Sequence, residues 1–411
     1  MSIRRTFPLL GLACALALSS PAQAQTAGAL QTASSKNPFM ALLEGKTTIS
    51  FQFNGAVRNN TYSIGDIAGI VEIADDFKPS DVFLIGGKAP PGQGFVGRSY
   101  DEAGMLLAFP LSFGMVGVSA GARAYAEGSV PESVVDILRE GSSGDLDVSL
   151  NGLGGRGITY GQVGLLTLID MVEDSLYETY IRVGIGAHYL YSLAGGEAGF
   201  DGPAFDDNPT SRLIFNNDAV DADLNFTYPL GAGSVGGQGF AGDLFVGANV
   251  GKLYLGGLLR GGKLQHKTGD RARADWKFLA DGIEELLDIV DTLSTDTIPG
   301  MTSTTTLPTT LRLEASYQLN SRLGVGAVWQ DGFGGAFEMG SSFIGVVELR
   351  LLRWLPILIG GNWHQDFGTG LSGGLSLDAG AFEFSLAVST VGGFDDTSKG
   401  GTLRTGMAFF F

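Results

Sequence analysis

Apolar and polar residues alternate one by one along most of this chain. From Tyr177 to Leu193, one face collects Tyr, Ile, Val and Leu, while the other collects charged residues and glycine. Successive side chains of a β-strand point to opposite faces, so a period of two predicts a strand with one apolar face. The runs 311–319 and 322–330 alternate in the same way, and the polar pair Asn320 and Ser321 between them predicts a hairpin turn.

The same alternation recurs in eleven further runs of about the length that a tilted strand needs to cross a bilayer. These runs are 47–55, 105–113, 116–126, 219–229, 242–250, 252–264, 343–352, 355–365, 370–378, 382–391 and 402–411. A soluble β-sandwich also alternates, but its polar face is usually rich in Lys, Ser and Thr, whereas glycine dominates here. The pattern therefore favours an all-β fold, a transmembrane antiparallel β-barrel of about 14 strands.

The two faces of these predicted strands indicate which side meets lipid. The apolar face suits the hydrocarbon, and the glycine-rich face with sparse charges suits the lumen. Because carboxylates and arginines occur together on this polar face, we expect salt bridges rather than acid–base catalysis. The polar residues predicted to face the lumen are Glu178, Arg182, His188, Arg312, Glu314, Arg322, Glu348, Arg350 and Arg404.

The last run carries the most specific strand signal. Met407, Phe409 and Phe411 share its apolar face, and Arg404 lies on the other face. A C-terminal aromatic residue on an alternating strand resembles the signal recognised by the outer-membrane barrel assembly machinery, which we expect as a partner. An unpaired apolar edge would aggregate, so closure against the first strand is expected.

The first residues are typical of an export signal. Arg4 and Arg5 precede a short apolar stretch, and Ala22-Gln23-Ala24 forms a small-residue cleavage site, which predicts a signal peptide over residues 1–24. The single cysteine, Cys14, lies within it, so the mature chain has no disulfide. No apolar stretch is long enough for a transmembrane helix, so we expect the strands to cross the membrane. The expected location is the bacterial outer membrane, where the protein would be a monomer surrounded by lipid and lipopolysaccharide.

Three segments break the alternation and predict helices. Asn37–Leu43 precedes the first strand, and Pro131–Glu140 begins with a proline that suits a helix start. Apolar residues repeat at helical spacing over 283–293, within a long connection. These helices either cap the barrel or gate a ligand. The acidic segments 201–208 and 216–223 lack the spacing of a calcium loop, so no metal site is predicted.

Composition narrows the function further. Lys and Arg number 26 against 43 Asp and Glu, a net charge of −17, which argues against nucleic-acid binding. With 64 glycines, the repeated G-x-G-x-x-G matches indicate glycine abundance rather than a nucleotide site. His188, His266 and His364 lack metal-binding spacing, and the G-x-S-x-G serines Ser119 and Ser372 lie inside predicted strands. We expect neither an enzyme nor a cofactor.

The segment TASSKNPFMALLEGKTTISFQFNG is similar to the mature N-terminus of the long-chain fatty-acid transporter superfamily of outer-membrane barrels. Those proteins carry an Asn-Pro-Ala hatch just before the first strand. Asn37 and Pro38 match it, and Phe39 stands in place of Ala. The resemblance implies a plug over residues 25–46, placed in the lumen of a barrel over residues 47–411.

Most of the mature chain also resembles an uncharacterised bacterial outer-membrane family, known only as a domain of unknown function. The resemblance is carried by PESVVDILREG, LYETYIRVGIGAHYLYSLAG and LPTTLRLEASYQLNSRLGVGAVWQ. It implies the same layout of about fourteen strands with an N-terminal segment in the lumen, and it implies no substrate.

Together these features predict a channel for uptake or export of small hydrophobic molecules. Two alternatives stay open: a non-transport barrel that scaffolds a secretion or surface-assembly machine, and a general porin. A hydrophobic small molecule is therefore the expected ligand.

Overall fold

The computed structural model describes a large part of the chain in sixteen segments. They are residues 37–43, 45–63, 65–66, 93–140, 146–174, 179–200, 211–216, 219–229, 236–267, 270–280, 294–299, 302–335, 337, 339–352, 354–393 and 397–411. The predicted signal peptide, Glu178, the acidic segment 201–208 and the helix predicted over 283–293 lie outside them.

Strands account for most of the described residues. The helices are α1 (Pro38–Leu43) and α2 (Glu132–Glu140). The strands are β1 (Thr48–Asn59), β2 (Phe95–Leu111), β3 (Gly114–Val130), β4 (Leu146–Ser149), β5 (Gly154–Asp174), β6 (Thr179–Phe200), β7 (Arg212–Asn216), β8 (Ala219–Pro229), β9 (Gln238–Val250), β10 (Leu253–Lys267), β11 (Arg271–Ala280), β12 (Ser294–Ile298), β13 (Thr302–Asn320), β14 (Leu323–Phe333), β15 (Ser342–Leu352), β16 (Leu355–His364), β17 (Gly368–Asp378), β18 (Phe382–Val391) and β19 (Gly400–Phe410).

Within the described segments, fourteen strands pair antiparallel in a closed ring. The order around the ring is β1, β2, β3, β5, β6, β9, β10, β13, β14, β15, β16, β17, β18 and β19. The ring closes where β1 pairs with β19, from Thr48 opposite Phe410 to Arg58 opposite Gly400. This confirms the predicted antiparallel barrel of about 14 strands.

Five further strands form an extension outside this ring. They pair antiparallel in the order β4, β7, β8, β11, β12. The extension continues from the end of β6, where Gly199 and Phe200 lie opposite Thr227 and Phe226 of β8. The run 219–229, which alternates like the others, is therefore β8 of the extension and not a barrel strand.

The barrel strand β5 was absent from the predicted runs, and its position explains why. Leu166 and Leu168 point into the barrel and are buried, while Leu165 on the opposite face is exposed. A strand that is apolar on both faces has no period of two. Alternation finds strands whose inner face is polar, so it passes over a strand that packs against apolar atoms on both sides.

The two ends of the barrel differ in their connections. At one end, neighbouring strands join through short turns, such as those before β3, β10, β14, β16 and β18. The extension and the longer connections lie at the other end, and both Thr48 and Phe410 lie at the short-turn end. Outer-membrane barrels have short periplasmic turns and longer extracellular loops, so the short-turn end faces the periplasm.

The outer face of the barrel is apolar. Side chains at its middle, such as Ile185 and Leu371, are more than half exposed. Exposed aromatic residues follow toward both rims, among them Trp354 on the periplasmic side and Trp363 on the outer side. A continuous apolar surface with aromatic rims is that of a protein embedded in the bacterial outer membrane.

The predicted assembly signal lies on this outer face. Met407 pairs with Phe51 and Phe384, the ring of Phe409 contacts that of Phe382, and Phe411 is exposed at the periplasmic rim.

Among the described helices, neither is long and apolar enough to cross a membrane.

Replacement of Ile185 by Arg tests which face meets lipid. An arginine on the lipid face near the bilayer midplane destabilises a barrel by about 2–4 kcal/mol, and by only about 0–1 kcal/mol near the interface. Urea unfolding in lipid vesicles should therefore show a large loss for Ile185→Arg and a small one for Leu319→Arg at the periplasmic rim. Equal losses at the two positions would contradict the assignment.

Candidate functional site

The helix α1 lies inside the barrel, and its sequence explains where it begins. Asn37 caps it: the Asn37 Oδ1 atom accepts a hydrogen bond from the Phe39 amide at 3.1 Å, and the Asn37 carbonyl accepts one from the Met40 amide at 3.0 Å. Pro38 occupies the first helical position, where the missing N–H costs nothing. The predicted plug residues therefore form a capped helical turn.

Three side chains of α1 bind it to the wall. Phe39, Met40 and Leu42 are fully buried. The Phe39 ring stacks on that of Phe245 in β9, with centroids 5.1 Å apart. Burial of each such side chain contributes about 1.5–3 kcal/mol. Gly184 of β6 makes the room, because a Cβ there would lie 2.5 Å from the Phe39 ring.

A buried carboxylate holds the first turn of α1. Glu314 of β13 accepts hydrogen bonds on Oε1 from the side-chain amide of Asn37 (Nδ2) at 3.0 Å and from the Tyr254 hydroxyl at 2.8 Å. Its other oxygen accepts from the Arg312 guanidinium at 2.9 Å. These three partners satisfy a charge that would be costly to bury alone.

The end of α1 is held by a second charged pair. Arg182 of β6 donates from Nη1 to the Leu43 carbonyl at 2.7 Å and from Nε to Asp170 at 2.6 Å. The last carbonyls of a helix have no partner within it, and a cation stabilises them. Both ends of α1 are thus fixed to the wall.

Little space is left beside α1. The cavity between it and strands β1, β2 and β19 holds about 40 Å³ and is lined in part by Asn37, Gln52, Glu102 and Ala408. A single water needs about 10–15 Å³, so this cavity admits only a few waters. This cavity is too small for a solute to pass beside α1 on that side.

A layer of paired charges lies on the extracellular side of α1. Arg123 donates to Glu102 at 2.7 Å and 3.0 Å, and Arg260 makes two 2.7 Å bonds to Asp243. His188 contacts Asp243 through Nε2 at 2.9 Å. Each guanidinium in this layer has a carboxylate, so the charges balance. Removal of one partner from such a buried pair costs about 3–5 kcal/mol.

Aromatic side chains line the lumen beyond the charged layer. The Tyr125 ring lies 5.0 Å from Tyr100, 6.3 Å from Tyr160 and 5.5 Å from Phe337, measured between centroids. We call the space that Tyr100, Tyr125, Phe337, Met339 and Phe367 line the aromatic chamber. The charged residues Arg58, Arg98 and Glu127 also line it, and it holds about 70 Å³.

The aromatic chamber is reached from outside through a wide vestibule. This vestibule holds about 690 Å³ and is lined in part by Asn60, Arg98, Asp366, Phe367 and Lys399. Phe367 and Arg98 line both spaces, so the vestibule and the aromatic chamber adjoin. The vestibule thus connects the aromatic chamber to the extracellular side.

The structure gives most of the residues predicted to face the lumen a place inside the barrel. His188, Arg312, Glu314 and Glu348 are buried there. Arg182 contacts α1, Arg350 pairs with Glu348, and Arg404 lines a cavity described below.

Arg322, which was also predicted to face the lumen, lies elsewhere. Arg322 is exposed in the periplasmic turn between β13 and β14. The Asn320 side chain accepts a hydrogen bond from the Arg322 amide at 2.8 Å, which bends the chain and moves the turn one residue further than the sequence indicated. The alternation between inward and outward side chains applies within a strand and does not extend to a residue in the turn.

The charged layer was not predicted, although part of its signal was present. Arg123, Asp243 and Arg260 are isolated charges on the glycine-rich faces of the runs 116–126, 242–250 and 252–264. Their inward position follows from the alternation. Their partners do not, because each pair joins neighbouring strands whose register is set by three-dimensional pairing.

Comparison with solved structures identifies the fold. The chain aligns with the Ralstonia pickettii toluene transporter TbuX over 96% of both chains, with 11% identity and a TM-score of 0.50. It aligns with the P. putida toluene transporter TodX over 95% of this chain and 96% of that one, with 9% identity and a TM-score of 0.51. The chain shares the fold of these barrels. A Pseudomonas aeruginosa FadL homologue aligns with 13% identity and a TM-score of 0.43, over 91% and 93% of the two chains.

Comparison by sequence gives less. The model of a family of unknown function (DUF5723) matches residues 263–389, which run from the end of β10 into β18. No curated protein matches the sequence.

Replacement of Gly184 by Val should displace α1, because the new side chain would overlap the Phe39 ring. In planar bilayers we expect no steady conductance from the unaltered protein, and ohmic steps from Gly184→Val and from a chain lacking residues 37–43. Gly242→Val on the adjoining strand is the control, since a Cβ there meets only the Gly186 carbonyl at 3.8 Å. Silence from both altered chains would show that α1 does not block the lumen.

Proposed function

We propose that this protein transports small hydrophobic molecules across the outer membrane through its lumen. The single observation that carries the proposal is the aromatic chamber, which adjoins the extracellular vestibule and lies on the extracellular side of α1. A ligand that enters from the vestibule meets these aromatic side chains before it reaches α1.

The chemistry of the aromatic chamber supports an apolar ligand. Tyr125 and Phe337 are buried in the lumen. Contact with lipid explains apolar side chains on the outer face of the barrel, but it does not explain these inward-facing rings. Ligand sites are typically lined by apolar and aromatic side chains with a few polar groups. The rings here are held against one another, so little side-chain entropy is lost when a ligand binds.

The solved structures support the same class of ligand. The proteins whose fold the chain shares are described as toluene transporters. At identities of 9–11%, this similarity concerns the fold alone. The argument for a hydrophobic ligand of this protein comes from the aromatic chamber.

The proposal includes the division of the chain. Residues 1–24 are a signal peptide, residues 25–46 a plug that contains α1, and residues 47–411 the barrel. A plug that must move for passage agrees with transport of selected molecules. A general porin needs a water-filled passage, and the cavity between α1 and strands β1, β2 and β19 holds about 40 Å³, which does not favour a porin.

Replacement of Phe337 by Ala should slow uptake. The truncated side chain removes ring contacts with Tyr125 from the aromatic chamber, and we expect the initial rate of labelled toluene uptake at limiting concentration to fall by about tenfold. The measurement uses Gram-negative cells with complete lipopolysaccharide that produce either form of the protein.

Phe333→Ala is the matched control. Phe333 is the last residue of β14, just before the connection that contains Phe337, and its side chain is 52% exposed. Uptake should match that of the unaltered protein. Equal rates for the two variants, or no gain over cells without the protein, would contradict transport through the aromatic chamber. Recovery of stoichiometric partner proteins in mild detergent would then support a scaffold.

A further inference from the structure

A second cavity adjoins the aromatic chamber and has the opposite chemistry. It holds about 70 Å³, and its walls come from β1, β14, β15, β16, β18 and β19. Hydrogen-bonding side chains surround it: Asn54, Arg58, Gln330, Ser342, Asn362, His364, Ser389, Thr402 and Arg404. Among the described residues that line it there is no carboxylate. We call it the arginine cavity.

The arginine cavity and the aromatic chamber form one continuous surface. Ala56, Arg58, Tyr100 and Met339 line both. Ala56 and Arg58 are successive inward residues of β1, so a ligand in the aromatic chamber lies directly beside the guanidinium of Arg58.

Arg58 differs from the arginines of the charged layer. Arg123 and Arg260 each bind a carboxylate through two hydrogen bonds. The buried Nε atom of Arg58 has no hydrogen-bond acceptor within the described part of the chain. The carboxylate that faces it, Asp366, accepts a hydrogen bond from Arg98 at 2.9 Å.

The described wall of the arginine cavity therefore carries guanidinium groups and no carboxylate, within a chain whose net charge is −17. Arg404 adds a second guanidinium to its wall, and Arg58 and Arg404 repel each other. Guanidinium groups bind carboxylates through charge-assisted hydrogen bonds of fixed geometry. An anionic ligand oxygen would supply the missing acceptor and relieve the repulsion.

The size of the two spaces limits the ligand. Each holds about 70 Å³. An apolar cavity of about 150 Å³ accommodates one benzene molecule, so the two spaces together limit the ligand to a single ring with, at most, a compact polar group. A long acyl chain would not fit without movement of the walls.

We infer that the lumen binds small aromatic carboxylates, with the ring against Tyr100, Tyr125 and Phe337 and the carboxylate at Arg58 and Arg404. The inference rests on the proposed function in that both use the same lumen, and it adds the charge and size of the preferred ligand. A neutral hydrocarbon would leave the Arg58 guanidinium without its acceptor.

Calorimetric titration of the purified full chain with benzoate and with benzamide tests the inference. The two ligands share size and shape and differ in charge. We expect benzoate to bind about 10- to 100-fold more tightly than benzamide, since charge-assisted hydrogen bonds are the stronger ones. Arg58→Gln and Arg404→Gln should each remove most of that difference and leave benzamide affinity within about twofold.

Two variants serve as controls for charge and folding. Arg322→Gln removes a positive charge from the exposed periplasmic turn and should keep the full preference for benzoate. Arg58→Lys keeps the charge and should retain part of the preference, even if the glutamine variant fails to fold.

Three outcomes would overturn the inference. They are equal affinities for benzoate and benzamide in the unaltered protein, the same loss in Arg322→Gln as in Arg58→Gln, and tighter binding of decanoate than of benzoate. Benzoate binding that depends on Arg58, together with toluene uptake that does not depend on the protein, would uphold this inference and refute the proposed transport of hydrocarbons.

Discussion

Every backbone N–H and C=O group that crosses the hydrocarbon must find a partner within the protein, and the pairing of β1 with β19 meets this constraint. Eleven residue pairs join the two strands. Without them, two rows of backbone groups would face lipid at a cost of several kcal/mol for each group. Closure in turn fixes two faces for every strand, so it determines which side chains meet lipid and which must share the lumen.

The lumen follows from that enclosure. Polar side chains that point inward lose most of their water, so they persist only where they bind one another, as Glu102 does with Arg123. Apolar inward residues need apolar partners, which α1 supplies through Phe39. The lumen is thus divided into layers, first the helix, then the paired charges, then the rings. Arg58 stands apart because its buried Nε atom has no hydrogen-bond acceptor in the described part of the chain.

Much of this fold was predictable from the sequence because lipid imposes a strict rule on one face of each strand. The alternation identified thirteen of the fourteen barrel strands, and it failed at β5, where Leu166 and Leu168 make the inner face apolar as well. The site was less accessible. Asn37 and Phe39 were predicted as plug residues only through a resemblance to a known family. The pairing of Asp243 with Arg260 depends on strand register, which no local sequence pattern encodes.

The length of β6 has a consequence for how a solute reaches the protein. A strand needs about 9–11 residues to cross the bilayer, and β6 has 22. At about 3.3 Å per residue and a tilt near 40°, the surplus lifts the wall at β6 by roughly 28–33 Å above the outer leaflet. The vestibule lies instead at the outer ends of β16, β17 and β18, which have only 10 or 11 residues. The barrel wall is therefore low where the vestibule opens and high at β6, so a solute approaches the vestibule from the low side, close to the outer leaflet.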